Sequence, residues 1–405
     1  MTPDAIHGTD SIPSIDTIMR SLRVNYHAPD KTTLLHDCLL PLARAARGRA
    51  GVHSAWVQSH WRFGPHVSFY VHGEPATVDQ LLTEVRYVVS HLLRTAPSGE
   101  PVTDEEWEHA SVELGRLELV EPPYVPVRED NTTELVDGGP VDTFLRTTRA
   151  VEVKGRVLGA GLDCLLDDDG RPLQGRAATD AAFRGMAALA ASYPTWGLVS
   201  GYQAFLSHWK EYLYWVDEDA RLSSPLMQAW QAQSSSLNAL VLLAHERRPG
   251  TSTGDPVLDR WFDWIDAELP DAEALAATGD VLPYPHASRL ERAATFGDAT
   301  RIQWSGSDER EYSDFHTAFR QLDFSKLGNG TDFAAYRFII NTFFELLPLM
   351  GITPMQRYSL AFMFTESAQV VVGERWEETI AKAVARQKAA DPEVAPTLPW
   401  RGEHV

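Results

Sequence analysis

The stretch that decides the fold reads Gln58-Ser59-His60-Trp61-Arg62-Phe63-Gly64-Pro65-His66-Val67-Ser68-Phe69-Tyr70-Val71-His72. Polar and apolar side chains alternate on both sides of the Gly-Pro pair, which is typical of two half-buried strands joined by a turn. A turn over residues 63–65 predicts three opposed pairs: Arg62 with His66, His60 with Ser68, and Gln58 with Tyr70. The core-facing side chains are then Trp61, Val67, Phe69 and Val71.

One face of this hairpin carries groups that donate hydrogen bonds and exchange protons. A solvated strand face usually carries Lys, Glu and Thr, whereas this one carries arginine, histidine and tyrosine. Such groups can stabilise an oxyanion or act as general acids and bases. Arg62, His66 and Tyr70 are therefore candidate catalytic residues, and His60 and Ser68 are candidate substrate contacts. An ordinary solvated hairpin face is the alternative.

Outward from the hairpin, the first part of the chain is predicted to form a sheet with helices. A strand over 21–27, a helix over 31–47, the hairpin and a helix capped by Thr77 and Gln80 give the order β, α, β, β, α. Residues 120–166 are rich in Pro, Gly and β-branched residues, which predicts loops and short strands. The fold class is α+β, with a mixed or antiparallel sheet and packed helices.

The second part of the chain is predicted to be mostly helical. Capping residues precede prolines at Ser224-Pro225, Asp255-Pro256 and Thr353-Pro354, and they predict helices over 225–245, 256–269 and 354–372. Gly373 separates the last of these from a helix over 374–388. We expect one composite domain over 19–388, with polar tails over 1–18 and 389–405.

Length and composition narrow the functional classes. The chain has 405 residues and a net charge of -20. Binding to nucleic-acid phosphates requires clustered Lys and Arg, so no nucleic-acid partner is expected. The longest apolar stretch, 359–372, contains polar residues, and no signal peptide is visible, which predicts a cytoplasmic protein without a membrane partner. Cys38 and Cys164 are far apart, so neither a disulfide framework nor a zinc site is expected.

Motifs for the common cofactors are missing. Gly159-Ala160-Gly161 lacks the third glycine of a dinucleotide loop, and the chain has neither a P-loop nor an HExxH motif. Residues 197–201 are not the nucleophile elbow of α/β-hydrolases. Asp167-Asp168-Asp169-Gly170 is typical of a solvated turn rather than a metal site. We therefore expect chemistry without a cofactor or a metal, carried by a few polar side chains in a shaped pocket.

A second cluster, Ser207-His208-Trp209-Lys210-Glu211-Tyr212, is predicted to lie on a helix. Ser207 and Glu211 are four residues apart, as are His208 and Tyr212, so a polar stripe lies beside an aromatic one. His208 is a candidate catalytic residue, and Ser207 and Glu211 are candidate substrate contacts. The alternative is a buried helix whose polar groups serve neighbouring loops.

Two further candidate substrate contacts, Arg337 and Asn341, interrupt an apolar helical run. Arg357 interrupts the last long helix in the same way. A buried arginine normally has a carboxylate partner, and Glu345 or Glu366 would serve. A structural ion pair is therefore the simpler interpretation of both arginines.

Several stretches in order along the chain resemble the thiopeptide-type bacteriocin biosynthesis domain, which is the C-terminal elimination module of class I lanthipeptide dehydratases. They are Asn25-Tyr26-His27, Leu34-Leu35-His36, Leu40-Pro41-Leu42, residues 60–66, Pro123-Tyr124-Val125-Pro126 with Asp130-Asn131, Ser207-His208 with Glu211, and Gly351-Ile352-Thr353-Pro354 with Arg357-Tyr358. The resemblance spans about residues 20–375. It implies the α+β fold of that elimination module.

The chain departs from elimination modules at two places that bear on its activity. After the histidine matched by His66, those modules typically place arginines that grip a glutamyl carboxylate, whereas this chain has Ser68 and Tyr70. Just before Asn341 they carry a proton-transferring histidine, whereas residues 338–340 here are apolar. Charged hydrogen bonds contribute about 1.5–3 kcal/mol each, so glutamate elimination is expected to be severely weakened.

With these departures, the chain is similar to thiopeptide pyridine synthases. That resemblance implies no cofactor, a ribosomally made precursor peptide with a leader and a dehydrated core, and other enzymes of the pathway as further partners. An azadiene made from one dehydroalanine would join a second dehydroalanine, and loss of water and leader peptide would leave a pyridine in a macrocycle.

The resemblance and the residue chemistry together suggest roles within that reaction. Arg62 or Tyr70 would donate to the amide oxygen, and His66 or His208 would move the proton. A glutamate-eliminating lyase and a non-catalytic relative that binds leader peptides stay open as alternatives.

Overall fold

The computed structural model describes residues 17–140, 145, 147–217, 221–283, 287–306, 308–323 and 330–390. The predicted tails lie mostly outside these residues. Where they overlap, the prediction is wrong by one or two residues, because Ile18 begins the first strand and Ala390 ends the last helix.

Four strands form one antiparallel sheet, in the spatial order β2-β3-β1-β4. Their bounds are β1 Ile18–Asn25, β2 Val52–His60, β3 His66–Gly73 and β4 Thr132–Asp137. The predicted α+β class and the hairpin between β2 and β3 are confirmed.

Helices make up most of the remaining described chain. Their bounds are α1 Thr32–Leu34, α2 Leu40–Arg47, α3 Pro75–Thr95, α4 Asp104–Glu118, α5 Thr148–Gly161, α6 Gly175–Ala191, α7 Leu198–Val216, α8 Ser223–Glu246, α9 Pro256–Ala277, α10 Ala287–Thr295, α11 Asp298–Trp304, α12 Asp314–Phe319, α13 Gly330–Leu346, α14 Pro354–Val372 and α15 Trp376–Ala390. A π-helical turn, Leu35–Leu39, joins α1 to α2, and 3-10 turns follow α5 and α13.

The loop of the hairpin is longer than predicted. β2 ends at His60 and β3 begins at His66, and these two residues oppose each other, whereas Arg62 was the predicted partner of His66. The Nδ1 atom of His60 accepts hydrogen bonds from the next two backbone N–H groups, at 2.9 and 3.0 Å. Phe63 and Gly64 then adopt positive φ angles of 65° and 103°. A strand cannot hold these angles, so Arg62 lies in the loop.

The shift in register changes the other predicted pairs as well. Gln58 opposes Ser68 rather than Tyr70, and Trp56 opposes Tyr70. Trp61 does not enter the core beneath the sheet, because it lies in the loop and its indole Nε1 donates to Glu118 at 2.7 Å. The parity along each strand is unchanged, so the predicted polar residues that lie in β2 and β3 still share one face, whereas Arg62 lies in the loop.

The opposite face of the sheet is apolar. It carries the fully buried side chains Leu22, Val24, Ala55, Val57, Val67, Phe69 and Val71. Helix α3 packs across β1, β3 and β4 and contributes buried apolar side chains of its own. It begins at Pro75, with Glu74 as its N-cap residue, so the capping box predicted at Thr77 and Gln80 is wrong. Pro75 fits the first helical position because its missing N–H has no partner to lose there.

Residues 120–166 contain the short strand β4, but they also contain helix α5, which was not predicted. Thr147 starts the helix by accepting a hydrogen bond from the Ala150 N–H at 3.2 Å. A Cβ atom on Gly155 would lie 2.6 Å from the ring of Trp56, so only glycine lets α5 lie this close to β2. Glycines that suggested loops therefore serve close packing of a helix on the sheet.

Helices α6, α7, α8, α9, α13 and α14 pack against one another, and their buried side chains belong to the same hydrophobic cluster as the apolar face of the sheet. Gly201 lets α7 cross α6 closely, since a Cβ there would lie 2.1 Å from the carbonyl oxygen of Ala190. The carbonyl of Gly201 also accepts a hydrogen bond from Tyr336 of α13 at 2.9 Å. These contacts hold α7 in place at Gly201, one to two helical turns before Ser207 and His208.

Two of the three predicted helix starts are confirmed. The side chains of Asp255 and Thr353 accept hydrogen bonds from backbone N–H groups in the first turns of α9 and α14. Helix α8 instead starts at Ser223, because the carboxylate of Asp217 accepts from the N–H groups of Leu222 and Ser223 at 2.7 and 2.9 Å. Helix α9 runs beyond its predicted end to Ala277.

The segment Gly330–Met350 is long and apolar enough to cross a membrane, with a mean hydropathy of 1.2. In the structure, 67% of this window is buried against the rest of the protein. It comprises α13 and the 3-10 turn that follows it. We therefore interpret it as a helix of the hydrophobic core.

Candidate active site

Three neighbouring strands contribute to the polar face of the sheet. In the register, Arg23 of β1 and Gln58 of β2 flank Ser68 of β3, while Asn25 and His60 flank His66. The shared face predicted for the hairpin is confirmed for its residues within β2 and β3, and it is wrong for Arg62, which lies in the loop. Arg23, which was not predicted, joins them from β1.

His60 and His66 form a pair of stacked neutral imidazoles. Their ring centroids are 5.5 Å apart, with 29° between the ring planes. Burial is the main cause that lowers the pKa of His60 to about 4 and that of His66 to about 3, and Arg23 lowers both further. Both rings are therefore uncharged at neutral pH and can accept a proton.

The hydrogen bonds of the two rings define their tautomers. His66 Nδ1 lies 2.9 Å from the carbonyl oxygen of Gly64, which only accepts, so Nδ1 carries the proton and Nε2 is the basic nitrogen. Nδ1 of His60 accepts from two backbone N–H groups, so its Nε2 carries the proton. The pair therefore presents a basic nitrogen on His66 and an N–H donor on His60.

Tyr70 and Ser68 adjoin the histidines on β3. Tyr70 stacks on Trp56 with a centroid distance of 4.9 Å, and it shares a hydrogen bond with Ser68. Burial raises the pKa of Tyr70, so its phenol stays protonated and can donate. His66 and Ser68 are only 2% and 3% exposed, whereas His60 and Tyr70 are partly exposed. A ligand would therefore meet His60 and Tyr70 first.

Three guanidinium groups lie near the end of the sheet at which His60 opposes His66. Arg62 and Arg128 both pack on the ring of Phe63, at 5.1 and 5.6 Å from its centroid. Arg128 and Arg23 both lie 3.8 Å from one carboxylate oxygen of Glu134. Two of these positive charges thus share one carboxylate, and the third, Arg62, donates to the carbonyl of Pro123 at 3.4 Å, in a protein whose net charge is -20. This end of the sheet is suited to an anionic or strongly polar group.

Helix α13 reaches the polar face of the sheet through Glu345. One carboxylate oxygen accepts a hydrogen bond from Gln58 at 2.8 Å, and the other pairs with Lys154 of α5 at 2.6 Å. Lys154 is 7% exposed, so the ion pair is largely buried. It holds β2, α5 and α13 together beside Tyr70.

His208 of α7 lies between two aromatic rings, one from α13 and one from α14. It stacks on Phe344 of α13 and on Tyr358 of α14, with both centroid distances at 4.7 Å. Tyr358 stacks in turn on Tyr212 at 3.9 Å, which confirms the predicted aromatic stripe of α7. Burial and the nearby charge of Arg357 lower the pKa of His208 to about 3. Its Nε2 is buried and has no hydrogen bond within the described residues.

The polar stripe of α7 faces helix α12. Ser207 Oγ lies 2.8 Å from Nε2 of His316, and Glu211 pairs with Arg310 and lies 3.3 Å from Nδ1 of the same histidine. Glu211 thus holds Arg310 of the loop before α12, as the structural alternative expects, although through a side chain and not a carbonyl. Ser207 and Glu211 are engaged mainly with other side chains.

Arg337 and Asn341 lie on α13, four residues apart and in line with Glu345. Arg337 donates to the carbonyl of Pro283 at 3.0 Å, and the exposed Asn341 lies one turn closer to Glu345. The prediction that Glu345 or Glu366 pairs with Arg337 or Arg357 is wrong. Glu345 pairs with Lys154.

Glu366 binds Arg375, and Arg357 packs on the rings of Phe344 and Tyr358. The flat guanidinium group is stabilised by cation–π contacts with the faces of these two rings. The carboxylate partner that the sequence suggested for Arg357 is thus replaced by aromatic rings.

Helix α13 connects the two predicted clusters. Phe344 touches His208, and the next residue, Glu345, touches Gln58 on the polar face of the sheet. The sequence missed Arg23, although its place at every second residue with Ser21 and Asn25 in β1 was a usable signal. It also missed His316, for which α12 is too short to show a helical period.

The predicted acidic turn is confirmed and lies apart from these clusters. Asp167 Oδ1 accepts from two backbone N–H groups, and Asp168 pairs with Arg260 at 2.7 Å. These side chains serve the turn and its neighbour α9. They make no contact with the polar face of the sheet.

No family model matches the sequence, and no curated protein matches it. Solved structures do match. The pyridine synthase TbtD from thiomuracin biosynthesis is 20% identical, with a TM-score of 0.65 over 88% of this chain and 99% of that chain. This chain has the pyridine synthase fold. TsrL matches with a TM-score of 0.57 at 17% identity, over 91% of this chain and 99% of that chain.

A third structure, the tRNA-dependent lantibiotic dehydratase MibB from Microbispora sp. 107891, is 12% identical with a TM-score of 0.39. The match covers 92% of this chain and 29% of that one. The fold expected from the sequence resemblance is confirmed by the two closer matches.

Proposed function

We propose that this protein is a pyridine synthase of thiopeptide biosynthesis. Its substrate would be a ribosomally made precursor peptide with a leader and two dehydroalanines, and the reaction would occur in the cytoplasm without a cofactor. The observation that supports this most is the match to TbtD over nearly the full length of both chains. The unpaired, buried Cys38 and Cys164 are consistent with a reducing compartment.

The site suits a reaction in which positioning contributes most. Two distant alkenes of one peptide must meet, and fixing two reacting groups can contribute about 7–11 kcal/mol to the rate. The stacked rings of Tyr212, Tyr358, His208 and Phe344 give a rigid aromatic wall on which planar dehydroamino acids can lie.

The proton-handling groups lie on the polar face of the sheet. His66 Nε2 is unprotonated and would accept the amide proton, while Tyr70 and Arg62 would donate to the amide oxygen as it gains charge. His60, Ser68 and Asn341 would bind the peptide backbone. His208 would take part from the side of α7.

A synthetic precursor carrying a leader and two dehydroalanines tests this proposal. Purified protein should convert it to a macrocycle, with release of leader peptide and water detected by mass spectrometry. Pyridine formation is checked by its ultraviolet absorbance. The double variant Arg62→Ala, His66→Ala should lose activity while it stays folded, whereas the surface variant Asp168→Ala should keep it. A double variant as fast as the parent chain would exclude the hairpin as the active site.

A second function, glutamate elimination, is favoured by the position of Arg23. The arginines missing after His66 led us to expect a weak grip on a glutamyl carboxylate, but Arg23 lies directly opposite Ser68 on the same face. A peptide bearing a glutamylated serine separates the two functions. Free glutamate and an alkene would establish the lyase, and neither should form if the protein is a pyridine synthase. Binding of the leader without any product would indicate the non-catalytic relative.

A further inference from the structure

Ser207, His316 and Glu211 form a linked series between α7 and α12 that the roles above leave unused. Ser207 Oγ lies 2.8 Å from His316 Nε2, and Nδ1 of that ring lies 3.3 Å from Glu211 Oε2. The N-cap residue of α12, Ser313, also places its Oγ 2.7 Å from Nδ1. In this order, an imidazole can take a proton from a hydroxyl while a carboxylate stabilises the charge that forms.

Two oxygens lie near Nδ1 of His316: Ser313 Oγ at 2.7 Å and Glu211 Oε2 at 3.3 Å. The negative charge of the carboxylate favours a proton on Nδ1, which leaves Nε2 to accept from the hydroxyl of Ser207. Glu211 Oε1 accepts from Trp215 at 3.0 Å and pairs with Arg310. Glu211 Oε2 is buried and has no hydrogen bond within the described residues. Oε1 thus holds the carboxylate in place, and Oε2 acts on the ring through its charge at 3.3 Å from Nδ1.

The charges around His316 keep the ring neutral. Burial is the main cause that lowers its pKa to about 4, Arg310 lowers it as well, and Glu211 and Asp314 act in the opposite direction. Asp314 pairs with Lys210 at 2.9 Å, which offsets part of its charge. A neutral imidazole beside a carboxylate is the form that can accept a proton.

We infer that Ser207 is a catalytic proton-exchange group for the cyclisation, and that His316 and Glu211 act through it as positioning residues. This inference rests on the proposed function. As the amide N–H bond breaks, Ser207 Oγ takes that proton while its own proton passes to His316 Nε2. The imidazolium then returns a proton through the same hydroxyl to the amide oxygen. Protons are neither gained nor lost overall, so no co-reactant is needed.

The tautomer can be measured without any substrate. In nitrogen-15 NMR spectra of the histidine-labelled full chain, the signal that disappears in His316→Gln belongs to His316. We expect a protonated Nδ1 and an unprotonated Nε2. In Glu211→Gln the new amide N–H group would donate to Nδ1, so the proton should move to Nε2. A protonated Nε2 in the parent chain, or no change in Glu211→Gln, would refute the relay.

The kinetic test uses the dehydrated precursor. Ser207→Ala and His316→Gln should each lower kcat by about 100-fold or more, with KM changed only a few-fold, because proton transfer rather than binding is lost. Ser236→Ala, at an exposed serine of α8 whose Oγ donates to a carbonyl of its own helix, is the matched control and should keep kcat within about twofold. Parent-like kcat in Ser207→Ala would overturn the inference. If the parent chain makes no pyridine, the proposed function fails, and the NMR experiment alone decides the relay.

Discussion

Gln58 of β2 donates a hydrogen bond to Glu345 of α13 across 2.8 Å. This bond crosses from the sheet to the helical core, and the second oxygen of the same carboxylate pairs with the buried Lys154. The geometry of the polar face therefore depends on a residue near the end of a core helix. A sheet and a helical layer that moved independently could not hold Tyr70 and His208 in a fixed relation.

Replacing Glu345 tests this connection. Glu345→Ala leaves Lys154 buried without this carboxylate, so the free energy of unfolding should fall by about 3 kcal/mol in urea denaturation. Arg176→Ala breaks the exposed ion pair with Asp180 and should change it by less than about 0.5 kcal/mol. Equal effects of the two variants would contradict a structural role for the buried pair.

His208→Phe separates the shape of the site from its chemistry. A phenyl ring keeps the stack between Phe344 and Tyr358 but has no nitrogen. We expect the variant to melt at the same temperature as the parent chain or higher, and to lose at least about tenfold in kcat if His208 exchanges protons. Full activity with a normal melt would assign His208 to packing alone.

The buried histidines predict a loss of stability in mild acid. The folded pKa values of His66 and His208 are about 3, below the ordinary value of 6.5. As pH falls below 6.5, the unfolded chain binds protons that the folded chain does not, so the free energy of unfolding falls. Each histidine should contribute about 2 kcal/mol of this loss between pH 7 and pH 5.

Urea denaturation at both pH values measures that loss. His208→Phe should remove about one histidine's share of the difference between pH 7 and pH 5. The control His91→Gln changes an exposed residue and should leave the difference as it is. A parent chain equally stable at both pH values would contradict the burial of these rings.

Arg23→Gln tests whether the arginine end of the sheet binds the peptide. Glutamine keeps hydrogen-bonding ability but removes the charge, so KM for the precursor should rise by about tenfold, and the rise should shrink at high salt. Arg44→Gln, on the exposed part of α2, serves as the control and should leave KM unchanged. An unchanged KM in Arg23→Gln would remove Arg23 from the site.

The sequence was informative where local rules decide the structure. Alternation predicted the hairpin and its shared polar face, and the caps at Asp255 and Thr353 predicted two helix starts. The register was missed because it depends on how His60 bonds to the backbone of the loop, which alternation does not encode. Helix α5 was missed because Gly155 meets the ring of Trp56, a contact between distant parts of the chain.

Within the candidate site too, local spacing could be predicted from the sequence, and contacts between distant parts of the chain could not. The stripe on α7 follows from helical spacing, so Ser207, His208 and Glu211 could be selected without a structure. Their partners could not, because Phe344, Tyr358 and His316 lie more than a hundred residues away from the residues they contact. Whether the selected residues perform catalysis stays a prediction until the variants are measured.

Phe344 and Glu345 are consecutive residues of α13, yet one touches the aromatic wall and the other the polar face of the sheet. A turn of this helix about its axis would displace both contacts together. If the site binds a peptide as proposed, its adaptation to a differently sized peptide is constrained, since a change in α13 that widens one half of the site disturbs the other. Elements that touch only one half, such as α12 and β1, are then the places where the range of bound peptides can diversify.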